Sequence, residues 1–440
     1  MPSLLTRRVF STGLATALCT PTILRGDPAT DTDVVVIGAG VAGLTAAHQL
    51  MGRSVRTTVL EARDRVGGRA WTDSHDLGLP FDQGAHWLHN AEVNVFATHA
   101  ARLGLPLKDA STENRVLYQG GETLDQAEAN RLFEQAERRL NRRLLFRAVF
   151  GGDTDLASLQ INDFWQTALI GIAAFSMAAN PSDISFDDFA ALEDGEERTV
   201  QGGYGALIAR VFAQVPVRLG HEVTALDWSR AGVVRVSGSW GVLSARRVII
   251  AVPPTVLASG AIRFTPALPE PKERAIGSFV TGQFLKVGLK LAEPANGLAE
   301  YHADVADLAG GRREVLVADQ FDPMLTLITS GDTARDLGDE PLSAREAYAK
   351  ERVAGLLGAD FARKIAGKTS YNWAEDPFAM GSFSALAPGS RNAREEFVEP
   401  LGNLVHFAGD AAPTPYAVTV LGAYQSGLSA AQNVLSSLAG

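Results

Sequence analysis

An α/β fold is what this sequence predicts: a buried parallel sheet drawn from both ends of the chain, with a mixed strand-and-helix region inserted between. Three observations carry that expectation. Residues 33–37 form a short β-branched apolar run, followed at once by Gly38-Ala39-Gly40-Val41-Ala42-Gly43 and a helix-like stretch rich in small residues. Residues 404–408 and 420–438 repeat a strand-then-helix signal near the C-terminus. The middle alternates strand-rich and helix-rich stretches, without internal repeats or low-complexity segments.

The elements follow in order. Residues 33–37 are bounded by turn residues and apolar throughout, as a strand covered on both faces requires. The glycines make a tight turn, 41–51 a helix, and 56–60 a second strand that ends at Glu61. A helix is expected over 94–104, and one long amphipathic helix or two over 126–150. An apolar helix over 164–177 is closed by Asn180-Pro181. Strands follow at 215–219, 223–228, 233–237 and 247–252, stopped by Pro253-Pro254. Further strands are expected at 283–291, 313–319 and 324–329, with helices around 344–357.

A chain of 440 residues, 46% hydrophobic and 20% charged, buries a large core and favours more than one domain. The formal net charge of −10 argues against nucleic acid as a partner and is compatible with small cations. Beyond the N-terminus no apolar run approaches the ~20 residues of a membrane span, so no stable membrane insertion is expected. Residues 1–28 read as a targeting peptide. Thr6-Arg7-Arg8-Val9-Phe10 resembles a twin-arginine export signal and a modest apolar stretch follows it. Contact with that export machinery and a periplasmic or secreted location are therefore expected. The single cysteine, Cys19, lies in this segment, which leaves no disulfide, catalytic thiol or Cys-based metal site. No metal site is expected elsewhere.

Gly38, Gly40 and Gly43 stand between a buried strand and a helix, the context that makes a Gly-x-Gly-x-x-Gly run informative. They allow the tight turn, close approach of backbone to a pyrophosphate, and close packing of helix on strand. The helix N-terminus offers free N–H groups and a positive dipole end to phosphates. Glu61 is placed to accept ribose hydroxyls. The continuation Glu61-Ala62-Arg63-Asp64-Arg65-Val66-Gly67-Gly68-Arg69 matches the extended fingerprint of glutathione-reductase-like FAD proteins. Gly68 lets backbone approach the pyrophosphate, and Arg69 can offset its charge. FAD, rather than a nicotinamide, is thus the expected cofactor; with Cys19 in the export segment its attachment is non-cysteinyl, and non-covalent binding is expected.

With these residues in hand, the chain resembles the flavin-containing amine oxidases: monoamine oxidases, polyamine oxidases and histone lysine demethylases. Phe81-Asp82-Gln83-Gly84-Ala85-His86-Trp87-Leu88-His89 resembles the segment beside the flavin, most like animal polyamine oxidases. By that resemblance Gly84, Ala85, His86 and Trp87 contact the cofactor and His89 lines the substrate tunnel. The absence of an Arg between Arg69 and Arg102 counts against an amino-acid substrate. The run 283–289 looks like the family's active-site lysine strand, which implies that Lys286 holds a water near the flavin and assists reoxidation; Lys290, on the same face, is the competitor. Trp373 would lie near the flavin and Phe383 form a wall of the aromatic cage. Gly409-Asp410 would sit near the ribityl chain, and Thr419, Val420 and Ala423 at the flavin. Where monoamine oxidases have a cage tyrosine, this chain has Thr419, which implies a more open site. Val223 matches the position whose backbone contacts adenine.

Seven carboxylates, Asp183, Asp187, Asp188, Glu193, Asp194, Glu196 and Glu197, precede the Gly202-Gly203 turn. They read either as a solvated loop or as an entrance funnel for a polycation. The resulting expectation is a Rossmann-type FAD-binding domain from residues 31–90, 200–262 and 395–440. A substrate-binding domain of mixed sheet plus helices takes 91–199 and 263–394. The expected activity is oxidation of a polyamine C–N bond to an imine, hydrolysed to aldehyde plus amine, with O2 reduced to H2O2. Another amine, an amino acid, or a dehydrogenase using a different acceptor are the alternatives.

Overall fold

β1 (Thr32–Ile37), α1 (Val41–Met51) and β2 (Thr57–Leu60) form the parallel unit that the glycine turn predicts. Ile37 pairs in register with Leu60 on one side and Ile250 on the other. Val34, Val35 and Val36 are fully buried, because both faces of β1 are covered. The computed structural model describes residues 30–110, 117–119, 122–150, 152–159, 175–293, 302–307, 312–318 and 321–439. The expected export signal and most of the helix expected over 164–177 lie outside these residues; 175–177 are helical.

The first sheet runs Arg263–Thr265, Ala225–Arg230, Val233–Gly238, Gly241–Ile250, β1, β2, Val217–Arg218. Gly241–Ile250 is the longest of these strands and begins six residues earlier than the expected 247. Its first half is recruited by a hairpin with Val233–Gly238, and its second half pairs in parallel with Val405–Phe407. Cross-strand pairing, which no local pattern contains, extends the element. The C-terminal helix Val420–Ala439 packs on α1 over the same face. Sequence ends that are far apart thus share one core.

The second sheet runs Ile365–Thr369, Phe284–Leu291, Met324–Ser330, Arg312–Ala318, His302–Asp307, Leu117–Gln119, Glu122–Thr123. Phe284–Leu291 sits second from its edge, antiparallel to both neighbours, with Lys286 opposite Ile328 and Gly288 opposite Thr369. The sequence reading did not anticipate His302–Asp307 or the helices Tyr204–Val211, Glu270–Gly277 and Ala393–Val398. Gln126–Phe150 is a single helix, and Asn94 caps the helix Val95–Arg102 by accepting from the N–H of Phe96.

Candidate active site

The turn after β1 and the Gly67-Gly68 loop form one cradle. Gly67 donates to the Ala39 carbonyl at 2.8 Å, and a Cβ on Gly68 would stand 3.3 Å from the Gly40 Cα. Gly43 is needed for a different reason: a Cβ there would lie 2.0 Å from the Gly38 carbonyl oxygen, inside α1–β1 packing. A Cβ on Gly40 would meet nothing within 4 Å, so the space before the α1 N-terminus is open to a ligand. Glu61 is buried, and its two carboxylate oxygens accept from the N–H groups of Ala39 at 2.7 Å and Arg63 at 2.9 Å. That fixes the carboxylate at the β2 end with lone pairs to spare for ribose hydroxyls.

From this cradle a single cavity of about 1140 Å³ runs into the interface of the two sheets. Every cofactor and site residue expected from the sequence lines it except Gly43. Ala62, Val223, Gly409, Val420 and Ala423 lie along the walls with the glycines, beside the buried Trp373. Trp373 donates its indole N–H to the Gln83 carbonyl at 2.9 Å. Gly84 leaves no room for a side chain, since a Cβ would meet the Arg69 carbonyl at 1.8 Å. Arg69, the expected charge partner of a pyrophosphate, and Arg63 are themselves paired. Arg69 reaches Asp410 at 2.5 Å and the Ser382 carbonyl at 2.9 Å, and Arg63 reaches Asp376 at 2.5 Å. The Arg69–Asp410 bond ties the N-terminal cofactor segment to the C-terminal one, and the bonds to Ser382 and Asp376 tie it to the stretch before it.

The two lysines on the apolar strand separate here. Lys286 is 3% exposed, lines the cavity, and donates to the carbonyls of Gly84 at 2.5 Å and Asp82 at 3.1 Å. Burial pulls its pKa down to about 8, partly offset by the Asp82 charge. Lys290 points instead to the Leu77 carbonyl at 2.7 Å. Asp82, overlooked in the sequence as a site residue, is a hub. Its carboxylate accepts from Thr72 at 2.5 Å and from the N–H groups of Tyr204 and Gly205, capping the helix Tyr204–Val211. Burial works to raise its pKa. His86, Lys286 and Thr72 outweigh that and hold it below the usual carboxylate range.

One wall of the cavity is aromatic. Phe383 packs on Phe284 (5.4 Å between centroids), Phe284 on Phe175 (5.2 Å), Phe175 on Trp87 (5.9 Å) and Trp87 on His89 (6.4 Å). Phe284 was findable, being two residues from Lys286 and so on the same strand face. Phe175 carried no local signal. Thr419 lines the cavity too, but its hydroxyl donates to the Tyr416 carbonyl at 2.7 Å and accepts from Gly422 N–H at 3.1 Å. It therefore caps the last helix as well as facing the site.

The acidic run divides. Glu193, Asp194, Glu196 and Glu197 line the cavity. Asp188 is buried and paired to Arg394, Asp187 is paired to Arg391, and Asp183 accepts from Asn180. Only four of the seven carboxylates therefore belong to an entrance. His89 Nδ1 lies 2.7 Å from Glu197 Oε1. Burial opposes the charged ring, but Glu197 and Asp194 prevail and raise its pKa.

Parallel strands ending in a double-glycine cradle, open in front of a helix N-terminus and continuous with a cavity walled on one side by aromatic rings, define an FAD-dependent oxidoreductase. The groups present fit that cofactor: N–H groups for its pyrophosphate, a carboxylate for its ribose, and an apolar slot for its ring. The model of the family described as "Flavin containing amine oxidoreductase" matches residues 41–435. This chain belongs to that family and is an FAD-dependent amine oxidoreductase. It is 30% identical to polyamine oxidase 2 of Arabidopsis thaliana, over 91% of this chain and 87% of that protein. It is 25% identical to the human lysine-specific histone demethylase 2, over 91% of this chain and 53% of that one. In fold it resembles cyclohexylamine oxidase from Brevibacterium oxydans IH-35A (TM-score 0.78, 20% identity, 93% and 100% of the two chains). Putrescine oxidase bound to putrescine is similar to the same degree (TM-score 0.78, 21% identity, 92% and 99%).

Proposed function

We propose that this chain oxidises a polyamine, with O2 as electron acceptor and H2O2 as product. The observation that carries the reading is the order of groups along one cavity. Lys286 is buried, the rings from Phe383 to Trp87 form one side, and His89 and Glu197 are half-buried beside the exposed Glu193, Asp194 and Glu196. A linear polycation matches that order. Its reacting carbon lies among rings that exclude water and favour the neutral amine. Its distal ammonium lies among carboxylates. Relatives named for polyamine and putrescine oxidation support the same substrate class.

Bound FAD supplies the two-electron acceptor; the protein's own groups do the rest. The aromatic wall orients the carbon chain, the cradle holds the cofactor, and Lys286 offers a donor in a dry pocket. The His89–Glu197 pair is close to neutral while the ring is protonated. As pH rises through the raised His89 pKa, Glu197 becomes an uncompensated anion and polycation binding tightens. Peroxide-coupled turnover of spermidine, putrescine, lysine and phenethylamine tests the assignment. Spermidine or putrescine should be preferred, and absence of activity on both would overturn it. Glu197→Gln should raise KM for the preferred polyamine about 10- to 100-fold, a charge-assisted hydrogen bond being worth ~1.5–3 kcal/mol, and leave phenethylamine nearly unaffected.

We further propose that the cofactor domain comprises 31–90, 200–262 and 395–440, and the substrate domain 91–199 and 263–394. Residues 1–28 direct twin-arginine export to the periplasm or beyond. The Arg7-Arg8 pair supports the last point, and Lys replacement of both should retain the protein in the cytoplasmic fraction.

A further inference from the structure

His86 borders two cavities. Besides the cofactor cavity it walls a second one of about 20 Å³, between residues 80–86, the Gly202-Gly203 turn and the strand Met324–Ser330. That is room for one water, which needs roughly 10–15 Å³ and two to four polar partners. Asp82, Thr199, Asp322 and Thr326 complete the polar lining. The His86 ring approaches the Asp82 carboxylate, whose Oδ2 lies 3.6 Å from Nδ1. That is too long for a strong hydrogen bond and leaves the nitrogen room for a water. Thr326 is 6% exposed and its side chain borders this pocket. Half-buried Pro80, Gly202 and Asp322 place the outer wall at the surface.

We propose that this pocket holds one ordered water, and that His86 and this water carry a proton between the cofactor cavity and the surface beside Asp322. The inference rests on amine oxidation with O2 as acceptor, as proposed above, and requires no particular amine. A bound ammonium, R–CH2–NH3+, first loses one proton. Oxidation of the neutral amine to R–CH=NH2+ would release a hydride equivalent, which bound FAD would accept, and that hydride, O2 and one proton would make H2O2. One proton therefore leaves and one enters in each cycle, through a cavity walled by rings. An imidazole releases a proton from one nitrogen as it takes one at the other. Among the described residues, the charged groups that share a cavity wall with His86 include Asp82 from its own segment, Lys286 on the side of the cofactor cavity, and Asp322 across the small pocket. The Asp82 carboxylate is already engaged by Thr72 and two backbone N–H groups, which suits it to orient the ring rather than to take the proton.

Two measurements decide the matter. A crystal structure of the FAD-loaded enzyme should show a water about 3 Å from a His86 ring nitrogen and from Thr326 Oγ1, absent in Thr326→Val. In the second, holoenzyme reduced with dithionite is mixed with air-saturated buffer, and the return of flavin colour is timed between about pH 6 and 9. His86→Gln should slow it about tenfold or more, with recovery as imidazole is added. Thr326→Val, whose side chain lies outside the cofactor cavity, should slow it less and enlarge the D2O effect, and Thr326→Ser should restore it. An empty pocket, or wild-type reoxidation in His86→Gln and Thr326→Val without response to imidazole, overturns the proposal. Should His86→Gln lose FAD, the two Thr326 variants decide between these outcomes. No amine enters this assay, so its outcome does not depend on which amine is the substrate; failure of the wild-type holoenzyme itself to recolour in air would count against O2 as the acceptor and not against the relay.

Discussion

Replacing Lys286 by Met tests whether this buried amine is kept for stability or for chemistry. Burial brings its pKa from 10.5 to about 8, so holding the charged form inside costs roughly 3 kcal/mol relative to the unfolded chain. The sign follows from the depressed pKa. The cost is absent above pH 10.5, grows as pH falls, and is complete below about 8. Met removes it but strands the Asp82 and Gly84 carbonyls, at about 1–3 kcal/mol each. The two effects largely offset at pH 7, where the variant should be within ~3 kcal/mol of wild type by denaturant unfolding. Wild type should gain stability relative to the variant between pH 8 and 10.5. Air reoxidation of the reduced flavin should slow at least about tenfold. A variant that loses several kcal/mol at pH 7 and reoxidises normally would refute the argument, because Lys286 would then be a structural residue.

His406 is 2% exposed and its pKa is lowered by burial to about 4, so it is neutral in the fold. Stability should fall by roughly 3 kcal/mol as pH drops from 6.5 to about 4, and His406→Leu should flatten that part of the curve. Arg394→Met leaves the buried Asp188 carboxylate unpaired and should cost about 3–5 kcal/mol in unfolding experiments. It should also displace Phe383, because Arg394 holds the Ser384 and Ala411 carbonyls. Gly43→Ala, with its Cβ 2.0 Å from the Gly38 oxygen, should abolish FAD retention on gel filtration; a yellow, fully loaded variant would contradict the packing role.

The cofactor end was readable because it is local. The chain from β1 through the glycine turn to α1 and Glu61 is continuous, and each residue type answers a backbone or phosphate requirement within about 30 residues. The substrate end was readable in part. Lys286 and Lys290 share a strand face, and no periodicity separates them. What does so is the Asp82–Gly84 backbone meeting one amine and Leu77 the other. The acidic run read as one feature because its members are adjacent, yet Asp188 is claimed by Arg394 from 206 residues away.

By itself, then, the sequence determined the cofactor cradle, the family and the strand that bears the lysine, since these depend on neighbours along the chain. Only the tertiary structure decided which lysine faces the cavity, which carboxylates reach its rim, that Phe175 and Phe284 extend the aromatic wall, and that His86 borders a second pocket. Each of those depends on contacts between segments that burial, not sequence proximity, brings together.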